Sequence, residues 1–185
     1  MSPIVAATSI ACIIIAHEKR RALLYERILP SVTAQDFDDI VVVADWLDQR
    51  SDARWLHVSA LTRTTLDSLV KRDAGTLATH ARCLIYLHDD HTLAPNFVHG
   101  LRNVLAEPWD VLVPNRFTTR AAGIGMSDDR TYGPVDSVKF HHPAPIRIPL
   151  NNGERDGYCG GHGGVFRRHV ITARRPPTTS TTATV

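Results

Sequence analysis

The chain has 185 residues, 43% of them hydrophobic and 22% charged, with a formal net charge of +2. That length is enough for one domain with a real core, and a near balance of charge without a long basic run gives no electrostatic case for nucleic acid as a partner. No stretch reaches the roughly 18 to 20 apolar residues of a membrane span, and the first sixteen residues lack a basic start and are interrupted by Thr8 and Ser9, so a signal peptide is not expected.

The three cysteines, Cys12, Cys83 and Cys159, are an odd number without CxxC spacing, which argues against a disulfide framework or a structural zinc site and fits a reducing cytoplasm. Cys12 and Cys83 lie in apolar runs and are expected in the core; Cys159, among glycines, is the one expected to be exposed.

In chain order, Ile10 to Ala16 is an unbroken, largely β-branched run, the pattern of a strand covered on both faces. The sequence then turns polar at His17-Glu18-Lys19-Arg20, and Lys19 to Leu29 reads as an amphipathic helix that Pro30 ends or kinks. A second buried strand, Ile40 to Ala44, stops at Asp45, so strand, helix and strand make a βαβ unit and predict a parallel sheet. Arg54 to Val58 is a possible third strand. Leu66, Leu69, Val70, Ala74, Leu77 and Ala81 recur at helical steps, a second helix weakened by Gly75. Leu84 to Leu87 is the central strand, Pro95 to Ala106 a third helix stopped by Pro108, and Trp109 to Pro114 a short strand. The alternation predicts an α/β fold, a mostly parallel sheet with helices on both faces and function at the carboxyl ends of strands. From Asn115 to Asn152 periodicity fades, as in an excursion or loop; residues 1–170 form the expected domain and residues 171–185 a Thr-rich tail expected to be disordered.

The chemistry concentrates where the central strand ends, at His88-Asp89-Asp90-His91. Two adjacent carboxylates repel unless a cation neutralises them, and a hard divalent ion does so with oxygen ligands. The pattern fits a metal-bound diphosphate; it equally fits an Asp-Asp turn capping the helix that begins near Pro95. The cluster Gly160-Gly161-His162-Gly163-Gly164 permits close backbone approach to a ligand or a plain turn. It is neither a Walker phosphate loop nor a dinucleotide fingerprint, since the residues that define those are absent around it.

Taken together, residues 11 to 170 resemble the family 2, GT-A-type nucleotide-sugar glycosyltransferases. Ile13-Ile14-Ile15-Ala16-His17-Glu18-Lys19-Arg20 is similar to the family's first strand and loop, and Ser31-Val32-Thr33-Ala34-Gln35 to its Ser-(Ile/Val)-x-x-Gln helix end. Asp39 to Asp45 is similar to its second strand with the acid that meets the base, and Lys71-Arg72-Asp73-Ala74-Gly75 to Ala-Arg-Asn-x-Gly. Leu87-His88-Asp89-Asp90-His91-Thr92-Leu93-Ala94-Pro95 resembles its metal motif, with His88 at the place of the first acid, and Gly160 to Arg168 resembles its acceptor-side Gly-Gly segment. The resemblance implies a Rossmann-like GT-A domain that binds a nucleoside-diphosphate sugar, of UDP or dTDP type, and transfers the sugar to an unknown acceptor hydroxyl, with inversion. It implies donor binding by Ala16, His17, Glu18, Asp45, Arg72 and Asp89, acceptor contacts by Gly160, Gly161 and His162, and Mn²⁺ or Mg²⁺ held by Asp90 and Asp89 with His88 as a further ligand that would tilt selection toward Mn²⁺.

The family's general base, an acid some tens of residues beyond the Gly-Gly segment, has no counterpart, since no Asp or Glu follows Asp156. Asp156 is the substitute candidate. Relative to the family the chain reads as truncated at its C-terminal side, and the alternative expectation is a catalytically empty GT-A-like domain serving as a binding or scaffolding module. A nucleotidyltransferase is disfavoured, because no Gly-rich, basic loop follows the first strand to hold a triphosphate.

Overall fold

A computed structural model describes residues 8–48, 50–61, 64–107, 109, 111–113, 116–119, 129–132, 139–141 and 165–171. Its organising strand is β1 (Ile10–Ala16), buried along its whole length. It pairs in parallel with β2 (Asp39–Ala44) on one side and β4 (Cys83–His88) on the other, and β3 (Arg54–His57) extends β2, also in parallel. Beyond β4 lie β10 (Val165–Arg167), β6 (Val111–Val113) and β9 (Lys139–His141), giving the order β3-β2-β1-β4-β10-β6-β9. Because β10 and β9 run antiparallel to their neighbours, the sheet is mixed at one end and parallel at the other. This is a Rossmann-like α/β fold, as the strand and helix alternation predicts.

Side chains alternate across the sheet as the period of two requires. Cys12, Ile14, Val42, Ile85 and Leu87 face one core, and Ala11, Ile13, Val41, Val43, Leu84 and Tyr86 face the other. The first core is closed by residues 18–33 and by α4 (Phe97–Val104), through Leu24, Ile28, Leu29, Val32, Phe97 and Leu101. The second is closed by α3 (Thr64–Ala78), through Ala74 and Ala78. Cys12 and Cys83 are buried free thiols, and burial pushes the Cys83 thiol up to about 12. No helix among the described residues is long and apolar enough to cross a membrane.

Of the two outcomes expected at Pro30, an end or a kink, the helix does not end there: residues 18–33 run as a 3-10 turn (Glu18–Arg20), an α turn (α1, Arg21–Leu23), a π turn (Leu24–Ile28) and a further α stretch (α2, Leu29–Thr33). The widened turn just ahead of the proline lets the helix pass a residue that has no N–H and crowds the preceding turn. Asp89 and Asp90 do not cap α4, whose N-cap is Asn96 in the left-handed region at φ 62°; β5 (His91–Leu93) intervenes. The stretch beyond Asn115 is not wholly irregular, for β7 (Arg116–Thr119) and β8 (Asp129–Tyr132) join β5 in a second sheet of order β5-β8-β7, and β9 joins the main sheet. Strands of three or four residues are too short for alternation to show in sequence.

Gly75, a poor helix former by propensity, also lets α3 lie close against the sheet. A Cβ there would lie 2.4 Å from Ile13 Cγ2 and 3.1 Å from Val43 Cγ2, both on buried β-branched residues of the central sheet. Gly75→Ala is therefore expected to destabilise the chain by about 1–3 kcal/mol in urea unfolding, through overpacking that outweighs alanine's helix propensity of about 1 kcal/mol. A more stable variant would contradict this close approach of helix to sheet.

Candidate functional site

The registers Ile15 opposite His88 and Ala16 opposite Ala44 bring the carboxyl ends of β1, β2 and β4 level. The chain leaves β1 toward β2 on one side and leaves β4 toward β6 on the other, so a topological switch point opens between β1 and β4, where such sheets bind ligands. His17 and Glu18 enter it from β1, Asp45 from β2, and His88, Asp89 and Asp90 from β4.

These ends are tied into one polar network. Asp89, with 0% side-chain exposure, accepts at Oδ2 from the His17 backbone N–H at 2.8 Å, with His17 Nδ1 at 3.0 Å, and accepts at Oδ1 from Arg20 Nη1 at 2.8 Å. The same Arg20 nitrogen lies 3.1 Å from Asp90 Oδ2, and His91 Nδ1 lies 2.6 Å from Asp90 Oδ1. On its far side the His17 ring reaches Asp67 Oδ2 through Nε2 at 2.9 Å. Lys71, fully buried, donates to the Ala16 carbonyl at 2.9 Å and pairs with Asp67 at 2.9 Å and Asp45 at 3.6 Å. Asp45 Oδ1 in turn accepts from the Glu18 N–H at 2.7 Å. A buried charge survives only when paired and hydrogen-bonded; Asp45, Asp67 and Asp89 are both, whereas Asp90 meets Arg20 and His91 as ion pairs and its buried Oδ1 has no hydrogen bond.

Burial opposes ionisation of Asp67, Asp89 and Asp90, yet all three stay below their ordinary value of 3.8: Lys71 outweighs burial at Asp67, His17 and Arg20 at Asp89, and His91 and Arg20 at Asp90. Because the folded chain binds these protons less readily than the unfolded one, their contribution to stability is complete above the unfolded value and is lost as pH falls through the lowered folded values. Acid unfolding followed by circular dichroism should therefore set in below about pH 4, with a shallower pH dependence in Asp67→Asn; an unchanged slope would mean that Asp67 ionisation does not support the fold.

Ligand atoms of His88, Asp89 and Asp90 lie within 4.8 Å of one another. Two carboxylate oxygens and one imidazole nitrogen suit Mn²⁺ and, less well, Mg²⁺. Asp90 is the outer member, its side chain 14% exposed against 0% for Asp89. The motif's framework is held from below. Gln35 accepts from the Val98 N–H at 2.9 Å and donates to the Ser31 carbonyl at 2.9 Å, and the Ser31 hydroxyl accepts from the Leu93 N–H at 3.3 Å. Ser31 and Gln35 thus fasten α2 to β5 and α4, fixing the chain that follows the aspartates.

Of the residues singled out in the sequence, Ala16, His17, Glu18, Asp45, His88, Asp89 and Asp90 gather at these strand ends. Glu18 is largely exposed, with Arg21 at 3.5 Å. Arg72 lies on α3 with its guanidinium carbon 5.5 Å from the Tyr86 ring centroid; for a donor contact it would have to leave that ring. Asp156, Gly160, Gly161 and His162 lie outside the described residues. Arg167 and Arg168 serve the scaffold: Arg167 donates to the Leu105 carbonyl at 2.5 Å, and Arg168 to the Ala81 and Thr76 carbonyls at 2.8 and 3.0 Å. The sequence reading missed Arg20, Asp67 and Lys71 as site residues. The signal was present for two of them, since Asp67 and Lys71 stand four apart on one helical face.

No protein-family profile and no curated protein matches the chain. Among solved structures it is similar to TarS of S. aureus, at 16% identity and TM-score 0.48 over 64% of this chain and 23% of that one. It is similar also to TarS residues 1–349 in complex with UDP-GlcNAc, at 14% identity and TM-score 0.47 over 64% and 37%. The bifunctional IspDF of Campylobacter jejuni matches at 8% identity and TM-score 0.44 over 87% and 41%. The chain thus spans between 23% and 41% of the length of these proteins, and similarities this partial leave the functional reading to the site's own geometry.

Proposed function

We propose that the chain is the donor-binding part of a GT-A-type glycosyltransferase, taking a nucleoside-diphosphate sugar of UDP or dTDP type together with Mn²⁺ or Mg²⁺ at Asp89-Asp90. The observation that supports this most is the convergence of Asp45, His17, Asp89 and Asp90 on one switch-point crevice, at the ends of β2, β1 and β4. Asp45, held by Lys71 and the Glu18 N–H, is proposed to accept hydrogen bonds from a base or ribose. Asp90 and Asp89, with His88, are the residues that would hold the cation. A cation held there would supply Lewis-acid stabilisation of the leaving nucleoside diphosphate. Lys71 adds a buried positive charge beside Asp45 and Asp67, and Arg20 lies against Asp89 and Asp90 themselves. Asp156 is proposed to take the acceptor hydroxyl's proton in a direct, inverting displacement, with Gly160, Gly161 and His162 on the acceptor side.

The test is release of nucleoside diphosphate from UDP-, dTDP- and GDP-sugars, with and without Mn²⁺. Metal-dependent release that falls in Asp156→Asn is the expected result, and release that ignores chelator would overturn the metal role. One observation favours a second reading, a domain that binds donor without transferring: all the carboxylate oxygens of Asp89 and Asp90 already face nitrogen partners within the chain. Tight nucleotide binding with no turnover for any acceptor or water would select it.

A further inference from the structure

A single nitrogen, Arg20 Nη1, stands between the two aspartates, 2.8 Å from Asp89 Oδ1 and 3.1 Å from Asp90 Oδ2. A divalent cation ligated by those oxygens would lie roughly 2.0 to 2.6 Å from them, within the space that the guanidinium fills. Size and like charge make the two occupancies mutually exclusive. We propose that Arg20 is an internal counter-cation that closes the aspartate pair when the site is empty, and that it must swing out before a divalent metal binds.

This rests on the metal-dependent donor site proposed above and adds its regulation. The chain is built for such an exchange. Asp89 is fully buried and needs a cation nearby, but it keeps His17 on Oδ2 after Arg20 leaves Oδ1. Arg20 closes a short 3-10 turn, Glu18–Arg20, at φ −117° and ψ 17° rather than within a regular helix, and its side chain is 30% exposed, so water lies on its outward path. The freed guanidinium is a planar fork suited to phosphate oxygens. A nucleoside diphosphate therefore offers Arg20 a second partner, and metal and nucleotide each assist the other: metal alone competes with Arg20, whereas metal with nucleotide does not.

The experiment is titration of Mn²⁺ alone into the full chain, followed by electron paramagnetic resonance of free Mn²⁺, for the natural sequence, Arg20→Met and Arg20→Gln, each repeated with UDP. Both variants are expected to bind Mn²⁺ alone about tenfold more tightly, within the usual range for coupled sites, and to lose most of the gain that UDP gives the natural chain. Equal or weaker Mn²⁺ binding by the variants overturns the proposal while leaving the metal site standing. Absence of Mn²⁺ binding in every chain overturns both. The unmutated protein gives an independent readout, because the Arg20 Nε–Hε resonance is expected to move on Mg²⁺ addition. A resonance that stays in place while Mg²⁺ binds overturns the exchange.

Discussion

Asp90→Ala is expected to abolish metal-dependent nucleotide binding, a loss of about 100-fold or more, while leaving the chain folded. The size follows from losing a charged ligand outright, since removal of a mere supporting partner already costs about 10- to 100-fold in metal affinity. The separation of binding from folding follows from placement: Asp90 sits at the rim with its partners Arg20 and His91, 14% exposed, so water can solvate what the truncation leaves. Asp89→Ala would not separate them, because Asp89 is fully buried and joins β1 to β4 through the His17 backbone. Mn²⁺-dependent UDP binding of Asp90→Ala within threefold of the parent, measured beside its thermal midpoint, would put the metal elsewhere.

The largest effect on stability is expected at Lys71. Lys71→Met should cost about 3–5 kcal/mol in urea unfolding, the usual range when one member of a buried pair is removed. Its ammonium has no exposed surface and joins three elements at once: the end of β1 through the Ala16 carbonyl, the end of β2 through Asp45, and α3 through Asp67. Without it Asp67, 2% exposed, keeps His17 and the Leu61 N–H, which at 2.9 Å each do not replace a full charge. Lys71→Met with Asp67→Asn should recover part of the loss, because the amide removes the uncompensated charge and keeps an oxygen for the Leu61 N–H. A single-variant cost under about 1 kcal/mol would mean that the pair is solvated as a surface pair is.

Long apolar runs made much of the fold legible. Ile10 to Ala16 and Leu84 to Leu87 are unbroken apolar runs, the pattern of doubly covered strands, and both form buried strands past whose ends His17 and Asp89 meet. What the sequence hid has physical reasons. β5, β7, β8 and β9 hold three or four residues each, at most two full alternations, and β10 inserts between β4 and β6 from far along the chain. Gly75 looked like a weak point in a helix because its meaning lies across the sheet, at Ile13 and Val43. Beyond the four-residue spacing of Asp67 and Lys71, nothing in the local pattern marks Arg20, Asp67 and Lys71 as site residues; the level ends of β1, β2 and β4 bring them together. Arg72, by contrast, carried a family motif and stands over Tyr86.

Calorimetric titration of UDP, GDP and dTDP into the chain, first with Mn²⁺ and then with chelator, tests most directly whether the proposed donor site depends on metal at these strand ends. Binding of one nucleotide that chelator removes is the predicted result. Binding that survives chelator, or none to any of the three, would contradict it.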